Sequence, residues 1–478
     1  MNILAIDQGT SATKALLVGP GGEVLGHGEV PVRTRSVDGG GVEADPEELF
    51  GSVVAAGEAA LAAAGAPAHA VALANQGETV LAWDPATGTP LTPAIVWQDR
   101  RASVVCDRLA DRAAELSAIT GLPLDPYFAA PKMTWLRENL TGDGVVTTTD
   151  TWLLRRLGAE YVTDAATASR TMLLDLGKVE WSGAACAAFG IEAESLPRVA
   201  DCAGVVGETS WFGRAIPVAG IAVDQQAALL AQRCLAAGDA KCTYGTGAFL
   251  LVTSGSVAAR SGAGLSASVA WRVGGSATYC LDGQVYTAGS ALRWLSSLGV
   301  LGSPAELDAV GSTVPDSGGV IFVPALAGLG APYWAPGARG LLSGLTLGTS
   351  RGHLARAVAE GIAASVAELA SAAATDRGGP LASLRVDGGL TASRLLMQAQ
   401  ADLLQLPVML SRSGARGADA TALGVAALAR LGTGEAGSAG EALGPAEVEE
   451  VVEPSITADE AAERLLAFRS AVEASRTW

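Results

Sequence analysis

Histidine and cysteine are scarce, with three and six in 478 residues, and the cysteines (Cys106, Cys186, Cys202, Cys234, Cys242, Cys280) stand apart with no C-x-x-C pair. That spacing offers neither a zinc cluster nor a disulfide framework, so reduced thiols and no structural zinc are expected. Charge is sparse as well as unbalanced: only 17% of residues are charged, and 49 acidic against 32 basic side chains leave a formal net charge of -17. Such a field repels phosphodiester backbones and no Lys/Arg run offsets it, so nucleic acid is not expected as a partner. Long hydrophobic runs are missing too. The alanine-rich stretch from Val53 to Ala74 is broken by Glu58, Pro67 and His69. It lacks the roughly 20 strongly apolar residues a membrane span needs. The opening Met1 to Asp7 reads as a strand, without a basic segment or cleavage-like site, and a cytoplasmic protein is expected.

What is present is a composition that folds. Apolar residues make up 49% of the chain, and the length suggests about two to four compact units. The first thirty residues alternate apolar runs with turns: Ile3 to Asp7, Gly9-Thr10, Ala15 to Val18, Gly19 to Gly22, Glu23 to Val30. This is a hairpin meander. A helix follows to about Ala64, because Asp45 can cap it, Pro46 suits its first position and Glu47 and Glu48 suit its positive end. Around Lys241 the opening pattern returns: an apolar strand, the turn Gly245-Thr246-Gly247, and another strand to Val252. Two halves with the same opening predict two related α/β lobes, divided near residues 226 to 240. Further helices are expected at about 353–374, 391–404, 420–431 and 457–475, with 434–454 as loop.

Several strand ends carry groups that can do chemistry. Asp7-Gln8-Gly9-Thr10-Ser11 sets an acid beside a turn whose backbone N–H groups suit phosphate, although an ordinary Gly-Thr hairpin reads the same way. Tyr244-Gly245-Thr246-Gly247 and Val386-Asp387-Gly388-Gly389-Leu390 repeat the device. Asp7 could reach a magnesium shell, since that ion takes one or two carboxylates plus water. Asp224-Gln225-Gln226 ends another apolar strand near the lobe boundary; the carboxylate could accept a hydroxyl proton, or simply cap a helix. Glu78, Trp97 and Tyr127 lie in segments that mix hydrogen-bonding groups with flat rings, as sites for neutral polyols do. Taken singly, the two rings read equally well as core.

These residues together carry a resemblance that spans nearly the whole chain. Asp7-Gln8-Gly9-Thr10, Ala94-Ile95-Val96-Trp97-Gln98, Asp125-Pro126-Tyr127-Phe128, Ala168-Ser169-Arg170-Thr171-Met172-Leu173, Asp224-Gln225-Gln226, Tyr244-Gly245-Thr246-Gly247, Gly328 to Trp334 and Val386 to Gly389 resemble, in order, the motifs of the FGGY carbohydrate kinases. The resemblance implies two actin-like, ribonuclease-H-like lobes around an ATP and substrate cleft, with residues 1–230 binding the acceptor and 231–478 the nucleotide. It implies MgATP-dependent phosphorylation of a small polyol, glycerol before a tetritol, pentitol or ketopentose. By the same resemblance Asp224 is the general base. Glu78, Trp97, Tyr127, Gln225 and Phe249 line the polyol site, Ser11, Thr246, Gly289, Arg293, Gly389 and Ser393 contact nucleotide, and Asp7 organises magnesium. A catalytically silent nucleotide-binding sensor of the same superfamily is the alternative from another class, and it would not need to keep Asp7, Glu78 and Asp224 together. Self-association is left open.

Some positions depart from the pattern. Gly77 stands where members acting on glycerol carry arginine, which predicts empty volume there, filled by another residue or by a larger substrate. Arg293 stands where glutamine is frequent, Leu390 where a small residue is usual, and Lys14 near a common arginine. The segment Trp211 to Pro217 lacks the glycine-rich loop with which some bacterial members bind fructose 1,6-bisphosphate.

Overall fold

A computed structural model describes residues 1–411, 414–444 and 449–477. The expected repeat is there, strand for strand. In the first half β1 (Ile3–Gln8), β2 (Ala12–Val18) and β3 (Val24–Pro31) run antiparallel, and β4 (Ala70–Asn75) and β5 (Ile216–Val223) add in parallel on the other side of β1. Helix α1 (Pro46–Ala64) makes the crossover from β3 to β4, capped by Asp45, whose side chain accepts from Glu47 N at 2.9 Å. In the second half β6 (Ala240–Tyr244), β7 (Ala248–Gly255) and β8 (Ser276–Val285) are antiparallel, and β9 (Leu384–Asp387) and β10 (Val408–Ser411) are parallel to β6. A strand at 266–273 beyond β8 meets the strand at 203–209 beside β5 through the single pair Ala203–Val273. The two halves thereby join into one 13-stranded sheet.

Strands buried on both faces read as continuous apolar runs. In β1, Leu4 and Ile6 pack with α1, whereas Ile3 and Ala5 face the opposite layer. That opposite layer comes from the far end of the chain. Helix α2 (Asp224–Ala231) follows β5, helix α3 (Gly289–Ser297) follows β8, and α4 (Arg351–Arg377) precedes β9. Helix α5 (Arg394–Leu404) follows β9, and α6 (Gly414–Gly432) follows β10. Val425, Ala426 and Ala429 of α6 cover the face formed by Ile3, Ala5, Ala72 and Ala222. Only glycine permits this approach. A Cβ at Gly220 would lie 2.6 Å from Val425 O, and one at Gly424 would lie 1.8 Å from Ala227 O.

Three expectations need correction. The stretch from Val53 to Ala74 is not one element, since α1 ends at Ala64 and β4 begins at Ala70; the helix whose length and composition would allow a span is α4, and most of it is buried in the core of the second half. Residues 434–454 are not all loop, because Ala439–Ala442 is helical and Glu449–Val452 pairs with β10; residues 445–448 lie outside the described residues. The segment at 391 begins as a 3-10 turn (Gly389–Ala392) before α5. The terminal helix spans Ala458–Thr477.

Candidate active site

Because β1, β4 and β5 are parallel neighbours, their carboxyl ends deliver Asp7, the turn to Glu78, and Asp224 to one edge of the sheet. The second half does the same with the turn after β6 and Gly388-Gly389 after β9. Ligands bind along such edges in α/β folds. A cleft of about 410 Å3 opens between the two sets. Of the residues predicted from sequence it is lined by Ser11, Glu78, Trp97, Tyr127, Asp224, Gln225, Thr246, Phe249 and Arg293.

Three rings, Trp97 and Tyr127 of the first half and Phe249 of β7, form a cage. Trp97 meets Tyr127 edge-on at 5.7 Å and Phe249 at 6.1 Å, and Trp97 Nε1 donates to Thr10 Oγ1 at 2.9 Å, which fixes the indole. Glu78 is buried with a left-handed backbone (φ 59°), a conformation held only where surrounding structure over-determines it. Burial raises its carboxyl above the usual range, against the lowering effect of Arg170, whose Nε donates to Glu78 Oε1 at 2.6 Å. Asp224 is the first residue of α2, half-buried, and accepts from Gln225 N at 2.7 Å. Burial, with help from the Glu78 charge, pushes its carboxyl up to about 6, while the Gln225 N–H and Lys241 oppose the rise. A carboxylate with that affinity for protons is ionised at neutral pH and still a useful base.

Gly77 lines the cleft, so open volume lies beside it, although a side chain there would start against Val223. An ideal Cβ there lies 2.8 Å from Val223 Cγ2. A guanidinium nevertheless reaches Glu78, from Arg170. That arginine was missed as a site residue, as were Asp282, whose carboxylate accepts from Arg170 Nη1, and the buried Lys241, whose Nζ donates to Gln225 Oε1 and Thr243 Oγ1 at 2.7 Å each. A signal existed for Arg170, since a long cation in an otherwise apolar run must find carboxylates when it is buried.

The nucleotide-side turns interlock. Gly245 N donates to Gly247 O at 2.9 Å, Gly289 N donates to Gly245 O at 3.0 Å, and Thr246 O accepts from Ala288 N at 2.9 Å. Gly388 (φ 93°) packs so closely that a Cβ would lie 2.4 Å from Tyr244 O. These two glycine turns and the start of α3, with Arg293 one turn along, form a cradle that fits a polyphosphate. Gly289, Gly389 and Ser393 do not themselves line the cleft. The Ser393 hydroxyl donates to Asp308 and caps α5 by accepting from Leu396 N at 3.1 Å.

Asp7 also sits behind the lining. Its Oδ1 is buried without a hydrogen-bond partner, and burial, followed by the charge of Asp224, pushes its carboxyl up to about 8. An orphaned carboxylate oxygen in a negative field fits a divalent cation. Among the described residues no cluster of three or more His, Cys, Asp or Glu could enclose a metal alone. That suits magnesium, which takes its remaining ligands from phosphate and water.

The family profile for the N-terminal domain of the FGGY family of carbohydrate kinases matches residues 2–231, and that for the C-terminal domain matches residues 240–432. A glycerol kinase of Aromatoleum aromaticum is 42% identical over 494 residues, covering 100% of this chain and 99% of the relative. One from Thermus brockianus is 44% identical, covering 90% of each. Among solved structures, Plasmodium falciparum glycerol kinase with ADP superposes with a TM-score of 0.90 at 29% identity, covering 100% of this chain and 98% of that one.

Proposed function

The chain belongs to the FGGY family of carbohydrate kinases, and from that premise we propose that it transfers the γ-phosphoryl group of MgATP to a terminal hydroxyl of glycerol, giving glycerol 3-phosphate and ADP. One observation carries the reading: the ring cage with Glu78 and Asp224 shares a single cleft with Thr246 and Arg293. The acceptor lies against Trp97, Tyr127 and Phe249 by its C–H surface, and its hydroxyls engage Glu78 and Gln225. Asp224 accepts the proton of the attacking hydroxyl as the new O–P bond forms and the bond from phosphorus to the ADP oxygen breaks. Ser11, Thr246, Arg293 and the turns at Gly289 and Gly389 hold the nucleotide, with Ser393 at their edge. Asp7 holds magnesium, which supplies neutralisation of phosphate charge when bound.

Residues 1–230 form the acceptor lobe and 231–478 the nucleotide lobe, with α6 returning to pack on the first. The enzyme works in the cytoplasm on a small-molecule substrate. A four- or five-carbon polyol or ketopentose is the second reading, favoured by Gly77. An assay of ADP release over glycerol, tetritols, pentitols and xylulose decides between them: kcat/KM highest for glycerol supports the first, and highest for a longer acceptor supports the second.

A further inference from the structure

Arg170 is 4% exposed yet contributes to the wall of the cleft. Its Nε donates to Glu78 Oε1 and its Nη1 to Asp282 Oδ2, and its plane lies over the rings of Tyr127 (5.8 Å) and Phe128 (5.1 Å). Among the described residues, Nη2 has no hydrogen-bond partner. Glu78 follows β4 in the first half and Asp282 lies in β8 of the second, so the ion pairs tie the acceptor cage to both halves. A guanidinium is planar and rigid, so two anchored nitrogens also fix the direction of the third.

We propose that Arg170 is the specificity-determining residue of the acceptor site, with Nε and Nη1 anchored on Glu78 and Asp282 and Nη2 donating to an acceptor oxygen other than the one that attacks phosphorus. The inference rests on the polyol kinase reading of this cleft. It also fixes the charge class of the acceptor. Glu78, Asp224 and Asp282 all line the cleft, the Arg170 guanidinium is anchored on two of them, Lys241 is held by Gln225 and Thr243, and Lys132 is spent on the carbonyls of Pro126, Tyr127 and Phe128, so an acceptor bearing a carboxylate or phosphate is disfavoured.

The test compares glycerol with 1,2-propanediol and 1,3-propanediol, each lacking one hydroxyl. A buried donor left without its partner discriminates strongly, so wild type should disfavour the diol lacking the contacted hydroxyl by roughly 10- to 100-fold in kcat/KM. In Arg170→Gln that ratio should collapse to within about threefold, because glycerol loses a contact the diol never had. Arg170→Lys keeps the charge without the fork and should show the same collapse. Arg170→Gln combined with Asp282→Asn leaves fewer uncompensated carboxylates, should Arg170→Gln alone not fold. If folded variants lower kcat/KM for all three acceptors by one common factor, or Arg170→Lys restores the wild-type ratio, Arg170 only neutralises charge and the proposal fails. Titration of the tryptophan fluorescence with the same three compounds, in the presence of a non-hydrolysable MgATP analogue, reads the ratio through binding. A wild type that binds glycerol in this Arg170-dependent way but phosphorylates no polyol sinks the kinase reading alone.

Discussion

Replacing Asp224 by asparagine isolates the proton-accepting step, because the amide keeps the size of the side chain and its Oδ1 can still accept from Gln225 N. The carboxyl is pushed up to about 6. At pH 7.5 about 97% of it is ionised, and at pH 5 about 9%. Wild-type kcat should therefore rise about tenfold from pH 5 to a plateau above pH 7, with its midpoint near 6. General base catalysis contributes about 10²- to 10⁴-fold, or ~3 to 5 kcal/mol of barrier. Asp224→Asn should lose at least the lower figure, and the inflection near pH 6 should vanish with it.

Stability supplies the control. A carboxyl whose folded-state pKa lies above its unfolded value of 3.8 binds more protons folded than unfolded, so its contribution falls as pH rises from about 4 through 6. Above that window, ionised Asp224 costs the fold on the order of 2–3 kcal/mol. The asparagine variant should thus melt at or above the wild-type temperature at pH 7.5 and bind ADP unchanged. Steady-state turnover, a thermal melt and ADP titration check the three parts. Turnover within threefold of wild type, in a protein that melts normally, would remove Asp224 from the role of base.

The Asp7 carboxyl, pushed up to about 8, must give up a proton to hold a cation, so magnesium affinity with ADP present should rise up to about tenfold per pH unit from pH 6 to 8. Asp7→Asn should flatten that slope, and an unchanged slope in calorimetric titrations would refute the assignment. Gly424→Val should displace α6 from Ala227 and cost at least the ~1–3 kcal/mol typical of overpacking, read as a lower melting temperature. Because α2 starts at Asp224, its turnover should fall as well; a variant that melts like wild type contradicts the close packing. Most acceptor groups come from the first half and most nucleotide groups from the second, so glycerol and nucleotide together should compact the protein in small-angle scattering. No change in radius of gyration counts against closure.

Much of this arrangement was legible in the sequence. The repeat declared itself because both halves need a glycine turn at the end of a β1-type strand, and Gly9-Thr10 and Gly245-Thr246 stand at the matching places. Helix α1 was fixed at its start by Asp45 and Pro46, whose local chemistry leaves little choice. Tertiary matches were not readable. Helix α6 lies with the second half in sequence but covers β1, β4 and β5, because Gly220 and Gly424 allow contact no local pattern encodes. Gly77 suggested a hole, and only the fold shows Val223 against it and Arg170 arriving from ninety-odd residues away. The joining of both halves into one sheet depends on a single pair, Ala203 with Val273, which no local pattern marks.

The central claim is the transfer itself, and following the phosphorus atom tests it most directly. Incubation of the purified chain with MgATP and glycerol, monitored by 31P NMR, should convert the γ-phosphoryl signal stoichiometrically into that of glycerol 3-phosphate, with ADP as the other product and little inorganic phosphate. Release of inorganic phosphate alone, or an ATP spectrum unchanged by glycerol over many hours, would contradict the account.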